Sequence, residues 1–125
     1  MSKWDGLNRR RFPRVIYPCL VVIQDNDSGS KDIILTHTEN IGVGGICVVL
    51  KEHFKPSHPV YLEIDLMDMN AHLQCSGKVA WCVQRKTVQT PNSLFYEIGI
   101  EFENLNPDDQ KRINAVVDHL VKYKI

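Results

Sequence analysis

The sequence predicts an all-β domain: a six-stranded antiparallel barrel carrying one C-terminal α-helix. Three observations lead there. Short apolar stretches recur along the first hundred or so positions, and several alternate apolar with polar residues at period two, as half-buried strands do. Clusters of Gly, Pro, Asn, Asp and Ser separate them at short spacing, as in closed all-β folds. Near Asn106 the period changes to that of a helix.

Residues 15–24 are rich in Val and Ile and read as the first strand, with Pro18 confining that end to an edge or a bulge. Asp25, Asn26, Asp27, Ser28, Gly29 and Ser30 form a turn cluster. Residues 33–37 read as a second strand, residues 40–45 as a glycine-rich loop, and residues 46–50 as a short, continuously apolar strand. In residues 60–66, Val60, Leu62, Ile64 and Leu66 face one way and Tyr61, Glu63 and Asp65 the other. In residues 73–83, Leu73, Cys75, Val79, Trp81 and Val83 share a face. Residues 86–93 are polar, contain Pro91 and form a connection. In residues 95–102, Tyr96, Ile98, Ile100 and Phe102 point inward, and Glu97 and Glu101 outward. Asn106 caps the helix, Pro107 opens it, and Asp108 and Asp109 sit at its positive end. Ile113, Val116, Val117, Leu120 and Val121 supply its apolar stripe, and Lys122 and Lys124 suit its negative end.

The length of 125 residues fits one domain, and 43% hydrophobic with 24% charged residues is the make-up of an ordinary globular protein. Fifteen basic residues balance fifteen acidic ones, which argues against a broad basic face for nucleic acid or membrane surfaces. No apolar leader follows Met1 and no run approaches the ~20 apolar residues of a membrane span, so the expected location is the cytoplasm. Cys19, Cys47, Cys75 and Cys82 form no C-x-x-C pair, and the five histidines lack ligand spacing. Buried, reduced thiols and no metal are the expectation. No nucleophile–base or paired-carboxylate arrangement stands out from the strand alternation, so the chain reads as a non-enzyme.

Two features have no folding explanation. Arg9, Arg10 and Arg11 stand in a row and Arg14 follows Phe12-Pro13, a local basic device in a neutral chain. Residues 1–14 read as a flexible N-terminal arm, and residues 15–125 as the barrel with its helix at 107–123. An arginine fork grips phosphates and guanine edges bidentately, although a run of this kind can equally be a solvated arm. Gly42, Gly44 and Gly45 follow Asn40, and Gly44 and Gly45 can serve a tight turn or bulge between strands.

Taken together, Arg10-x-x-x-Arg14 and Asn40-x-Gly42-x-x-Gly45 resemble the RxxxR and [D/N]xSxxG motifs of the PilZ domain family. Val79-Ala80-Trp81 is similar to that family's Val-x-Trp strand, Gly99-Ile100-Glu101-Phe102 to its Gly-Ile-x-Phe strand, and the Asn106 helix to its C-terminal helix. The resemblance covers nearly the whole chain. It implies a six-stranded barrel that binds cyclic di-GMP, with Arg10 and Arg14 on phosphates or guanine edges, Arg9 and Arg11 adding phosphate or stacking contacts, and Asn40 on a guanine edge. Gly42 and Gly45 would let the ligand approach the backbone, with Val43 and Gly44 beside it. The family's serine is Gly42 here; losing its hydroxyl costs about 1 kcal/mol, or several-fold in affinity. Trp81 closes the barrel if strand parity holds, and can stack on a guanine if a bulge shifts the register.

The resemblance further implies a bacterial receptor that signals to a downstream protein partner. The arm's adjacent like charges, with Trp4 and Phe12 its apolar anchors, lead to the expectation that it orders on the ligand. The alternatives are a PilZ-like adaptor that docks on a protein without nucleotide, and a small barrel binding nucleic acid. Glu63, Asp65, Glu97 and Glu101 on the solvent faces, with no aromatic stripe, speak against the last. Oligomeric state is open.

Overall fold

The alternating apolar positions become the inner wall of a closed barrel. The computed structural model describes residues 14–26, 33–85 and 94–122. Its strands are β1 (Arg14–Val15), β2 (Leu20–Asp25), β3 (Ile33–Gly42), β4 (Gly45–Leu50), β5 (Pro59–Ile64), β6 (Leu73–Arg85) and β7 (Phe95–Glu103), followed by α1 (Pro107–Lys122). The order is β1-β3-β2-β5-β6-β7-β4, and pairing of β4 with β3 closes the six longer strands into an antiparallel barrel. Val21, Ile41, Ile46, Leu62, Ile64 and Ile98 are fully buried inside it. Burying each such side chain contributes about 1.5–3 kcal/mol. The expected all-β barrel with one helix is the observed fold.

The boundaries differ in two places. The first strand is broken: β1 ends at Val15 and β2 begins at Leu20. Pro18 lies in the break, where it has no N–H to give to a ladder. Thr38, fully buried, spans the interruption from β3. Its hydroxyl donates to the Tyr17 carbonyl and accepts from the Cys19 N–H at 3.1 Å, so two backbone groups left without strand partners are satisfied by one side chain. Regular pairing resumes where the Thr38 N–H donates to the Cys19 carbonyl at 2.9 Å.

Residues 40–45, expected as a loop, are mostly strand. β3 runs through Asn40 to Gly42, β4 begins at Gly45, and only Val43 and Gly44 turn. The apolar Ile41, buried opposite Ile46, carries the ladder through a stretch whose glycines suggested irregular backbone.

The helix starts where its cap predicts. Asn106 Oδ1 accepts from the Asp109 N–H at 2.8 Å, and Asp108 and Asp109 occupy the first turn. Ile113 and Val117 are buried and Leu120 packs against the core. α1 lies over β1 and β3. Residue 123, the expected helix end, lies outside the described residues. Cys19, Cys47 and Cys75 are buried and Cys82 is half-buried, all four as free thiols. Burial pushes the Cys75 thiol up to about 12 and also raises that of Cys19. Among the described residues no helix is long and apolar enough to cross a membrane.

A bidentate ion pair fastens the helix to the β5–β6 turn. Arg112 Nε and Nη2 each donate to the Asp68 carboxylate at 3.0 Å, and Nη2 also donates to the Ala71 carbonyl at 2.7 Å. The Arg112 bonds hold the Asp68 carboxyl at about 2, against 3.8 unperturbed. A depressed carboxyl pKa stabilises the fold above the unfolded value and ceases to do so as pH falls through the folded one. Asp68→Asn is therefore expected to lower stability at pH 7 by about 1 kcal/mol, allowing for the solvent-facing side of the pair. Urea unfolding at stepped pH checks this: the deficit should hold at pH 5 and close between pH 3.8 and about 2. A deficit unchanged at pH 2 would show that the ion pair is not its source.

Candidate functional site

The two sequence features meet across one pair of strands. In the β1–β3 ladder Arg14 stands opposite Gly42 and Val15 opposite Ile41. Gly42 is in turn opposite Gly45 across the hairpin, Gly45 opposite Glu101, and Glu101 opposite Lys78. One row of register positions thus crosses five strands, through Arg14, Gly42, Gly45, Glu101 and Lys78. The next inward row is Ile41, Ile46, Ile100 and Val79, all buried. Beyond it lies a second row: Asn40, Cys47, Gly99 and Trp81. Directly opposite residues share a face, and faces alternate along a strand. Asn40, Gly42, Gly45, Gly99 and Trp81 therefore belong to the outer wall, in two rows about 7 Å apart.

Trp81 corrects the parity reading. The ladder between β6 and β7 shifts register between Val79 and Trp81. Val79 pairs with Ile100 and Cys82 with Ile98, both on the inside, so Trp81 opposite Gly99 falls on the outside. A β-bulge has moved the indole from the predicted inner face to the outer one. The indole is half-buried and lies over Gly99, where a β-carbon would come within 2.8 Å of Trp81 Cζ2 and closer still to Cε2 and Nε1. Gly99 is what lets the ring settle against the sheet. Val83, also expected inward, is 44% exposed because it follows the same bulge.

Gly45 has a structural reason of its own. A β-carbon there would collide with the carbonyl oxygen of Ile100, with the carbonyl carbon at 3.1 Å and Glu101 Cα at 3.2 Å. The residue permits the close approach of β4 to β7. Val43 is half-buried and packs against the core. The Gly44 carbonyl accepts from the Phe102 N–H at 3.0 Å, tying the turn to β7. Asn40 is half-buried on the outer wall. Arg9, Arg10 and Arg11 lie outside the described residues, and Arg14 is described by its backbone.

Two charged positions join the Arg14 row. Lys78 and Glu101 are exposed cross-strand neighbours on it. Glu101 was legible as outward-facing, but only the ladder register brings it and Lys78 into line with the glycines.

The model of the PilZ domain matches residues 8–119. The chain belongs to the PilZ domain family. Solved structures of the same fold accompany that match. An inhibitor of motility (MotI/DgrA) from Bacillus subtilis is 20% identical with a TM-score of 0.72, over 94% of this chain and 54% of that one. The PilZ chain thus spans about half the length of that neighbour. The PilZ domain of YcgR from Escherichia coli, solved with c-di-GMP, is 14% identical with a TM-score of 0.71, over 91% of this chain and 92% of that one. MrkH from K. pneumonia, also solved with c-di-GMP, is 18% identical with a TM-score of 0.68, over 91% and 53%. A comparison with curated proteins finds no match. Within this PilZ domain, the second arginine of RxxxR and the first glycine of the Asn40 motif are register partners.

Proposed function

We propose that this PilZ domain is a receptor for cyclic di-GMP, bound on the outer wall beside the β3–β4 hairpin. The observation that carries the reading is the Arg14–Gly42 register pair, which leaves no distance for the arm to bridge between its arginines and the Asn40 motif. The solved neighbours YcgR and MrkH, which contain c-di-GMP, support the choice of ligand. The chemistry fits a compact dianion with two guanines. Arg10 and Arg14 hold phosphates or guanine O6 and N7 bidentately, Arg9 and Arg11 add charge, and the Asn40 amide meets a guanine edge. Gly42 lets the ligand approach the strand, and Trp81, half-exposed on the same wall, offers a face on which a base can stack. The dianion neutralises the repulsion among the arginines, orders the arm against the hairpin, and creates a surface that a cytoplasmic protein partner reads.

Isothermal calorimetry with the full chain tests this. A saturable heat with cyclic di-GMP is expected. Absence of heat, together with an unmoved thermal midpoint at large ligand excess, would reject the reading in favour of a nucleotide-free adaptor. Binding of mixed single-stranded DNA in its place would favour a nucleic-acid barrel.

A further inference from the structure

Among the described residues β3 has two neighbours on one side and only half a neighbour on the other. Along one edge β2 pairs with residues 33–37 and β1 with residues 41–42. Along the other, β4 pairs with Thr38 to Gly42 and then departs: Val49 and Leu50 pair with β7 alone. Among the described residues nothing pairs with that second edge between Ile33 and His37.

The direction of its hydrogen-bonding groups follows from the ladder. The Thr38 N–H donates to the Cys19 carbonyl, on the β2 side. Residues of the same parity, Thr36 and Ile34, therefore turn their N–H and C=O groups toward β2. Ile33, Leu35 and His37 turn theirs toward the open edge. The Leu20 carbonyl agrees, since it accepts from the N–H of Asp65, just past the end of β5, at 2.9 Å and lies on the β5 side, away from its β3 neighbour His37.

Edges of this kind are normally blunted by lysines, prolines, bulges or covering segments. Here residues 33–37 read Ile-Ile-Leu-Thr-His, and the nearest bulge lies beyond them, between Thr38 and Asn40. The outer side chains beside the edge are apolar and open: Leu35 is 66% exposed, Ile33 63% and Leu20 55%.

We propose that this edge is a homodimer interface, in which β3 of a second copy adds antiparallel to Ile33–His37 about a two-fold axis through Leu35. The segment is self-complementary in that register. Leu35 meets Leu35 of the second copy, and Ile33 meets His37 in both directions. All three outward-bonding residues of each chain fall in hydrogen-bonded pairs, so the open ladder is satisfied on both copies at once. The interface is isologous and closes with two chains. The two leucines come together on the outer wall, flanked by Ile33 and Leu20, so the exposed apolar surface is covered by its own image. Continuing the sheet across the axis joins two barrels at the end of β3 opposite the Arg14–Gly42 pair, which leaves each candidate ligand site open. This proposal does not depend on nucleotide binding.

Sedimentation velocity of the full chain across a concentration series tests it. A concentration-dependent dimer is expected in the absence of cyclic di-GMP. Leu35→Lys sets two ammonium groups against each other on the axis and should return a monomer with an unchanged circular dichroism spectrum. Leu35→Cys, in a Cys82→Ser background, gives the register directly. A hydrogen-bonded antiparallel pair holds its Cα atoms about 5.5 Å apart, within the span of a disulfide. Mild oxidation should therefore cross-link Leu35→Cys to itself, whereas Ile33→Cys, facing His37 of the other copy, should not cross-link. A wild-type chain that stays monomeric at every concentration overturns the proposal and leaves the edge to a strand from another protein. A dimer indifferent to Leu35→Lys, or one that cross-links through Ile33→Cys and not Leu35→Cys, overturns it as well.

Discussion

Arg14→Ala should weaken cyclic di-GMP binding at least tenfold while leaving the unliganded fold intact. The two halves of this expectation have separate causes. Arg14 sits opposite Gly42 in the β1–β3 ladder, so its backbone is fixed beside the proposed site by pairing that alanine preserves. Val15 supplies a buried side chain of β1, which the substitution leaves in place. The thermal midpoint should therefore move little. A bidentate arginine contact to a guanine edge or a phosphate is worth about 1–3 kcal/mol, which is roughly ten- to a hundredfold in affinity. Arg14→Lys separates charge from geometry: an ammonium keeps the attraction to the dianion but loses the planar fork, so its affinity should fall between those of wild type and alanine. Calorimetry on the three proteins reads the series. Wild-type affinity in Arg14→Ala would remove the arginine from the site.

The fold was legible because its signals are local. Val60 to Leu66 and Tyr96 to Phe102 alternate cleanly, and the Asn106-Pro107 start with its apolar stripe fits one helix. What escaped was register, which depends on residues far apart in the chain. The bulge after Val79 turns Trp81 outward; the sequence left a bulge open as an alternative, but no pattern within β6 decides for it or places it. Its trace lies in another strand, in Gly99, whose missing side chain makes room for the indole. The strand character of Asn40 to Gly42 was masked in the same way. Glycines there suggested a loop, while the pairing that makes them strand comes from β1 and β4 on either side. Of the candidate site, the residue types were readable from the chain. Their convergence was not, because the Arg14–Gly42 pair joins positions separated by an entire hairpin.

Gly45→Ala should cost the fold more stability than the same change at Gly77 or Gly99, where an added β-carbon would meet its nearest neighbour less closely. The added β-carbon would overlap the Ile100 carbonyl oxygen and press on the Ile100 carbonyl carbon and Glu101 Cα, all of them backbone atoms of β7. A side chain can rotate away from a clash, but a paired strand can yield only by opening its ladder. β4 is held between β3 and β7, so any shift at Gly45 is felt on both sides. Ile46 and Ile100, fully buried and directly paired, would be pulled apart next to it. Overpacking that forces backbone movement costs about 1–3 kcal/mol, and the strand junction places Gly45 at the upper end. For a chain of this size that is a fall in Tm of roughly 10 °C. Gly99→Ala makes the contrast, since its β-carbon would meet the Trp81 indole, a half-exposed side chain that can swing outward. Its cost should be smaller, and Trp81 should become more accessible to a collisional quencher. Differential scanning calorimetry of the two variants decides the order. If Gly99→Ala proved the more damaging, the close approach of β4 to β7 would not be what requires glycine at position 45.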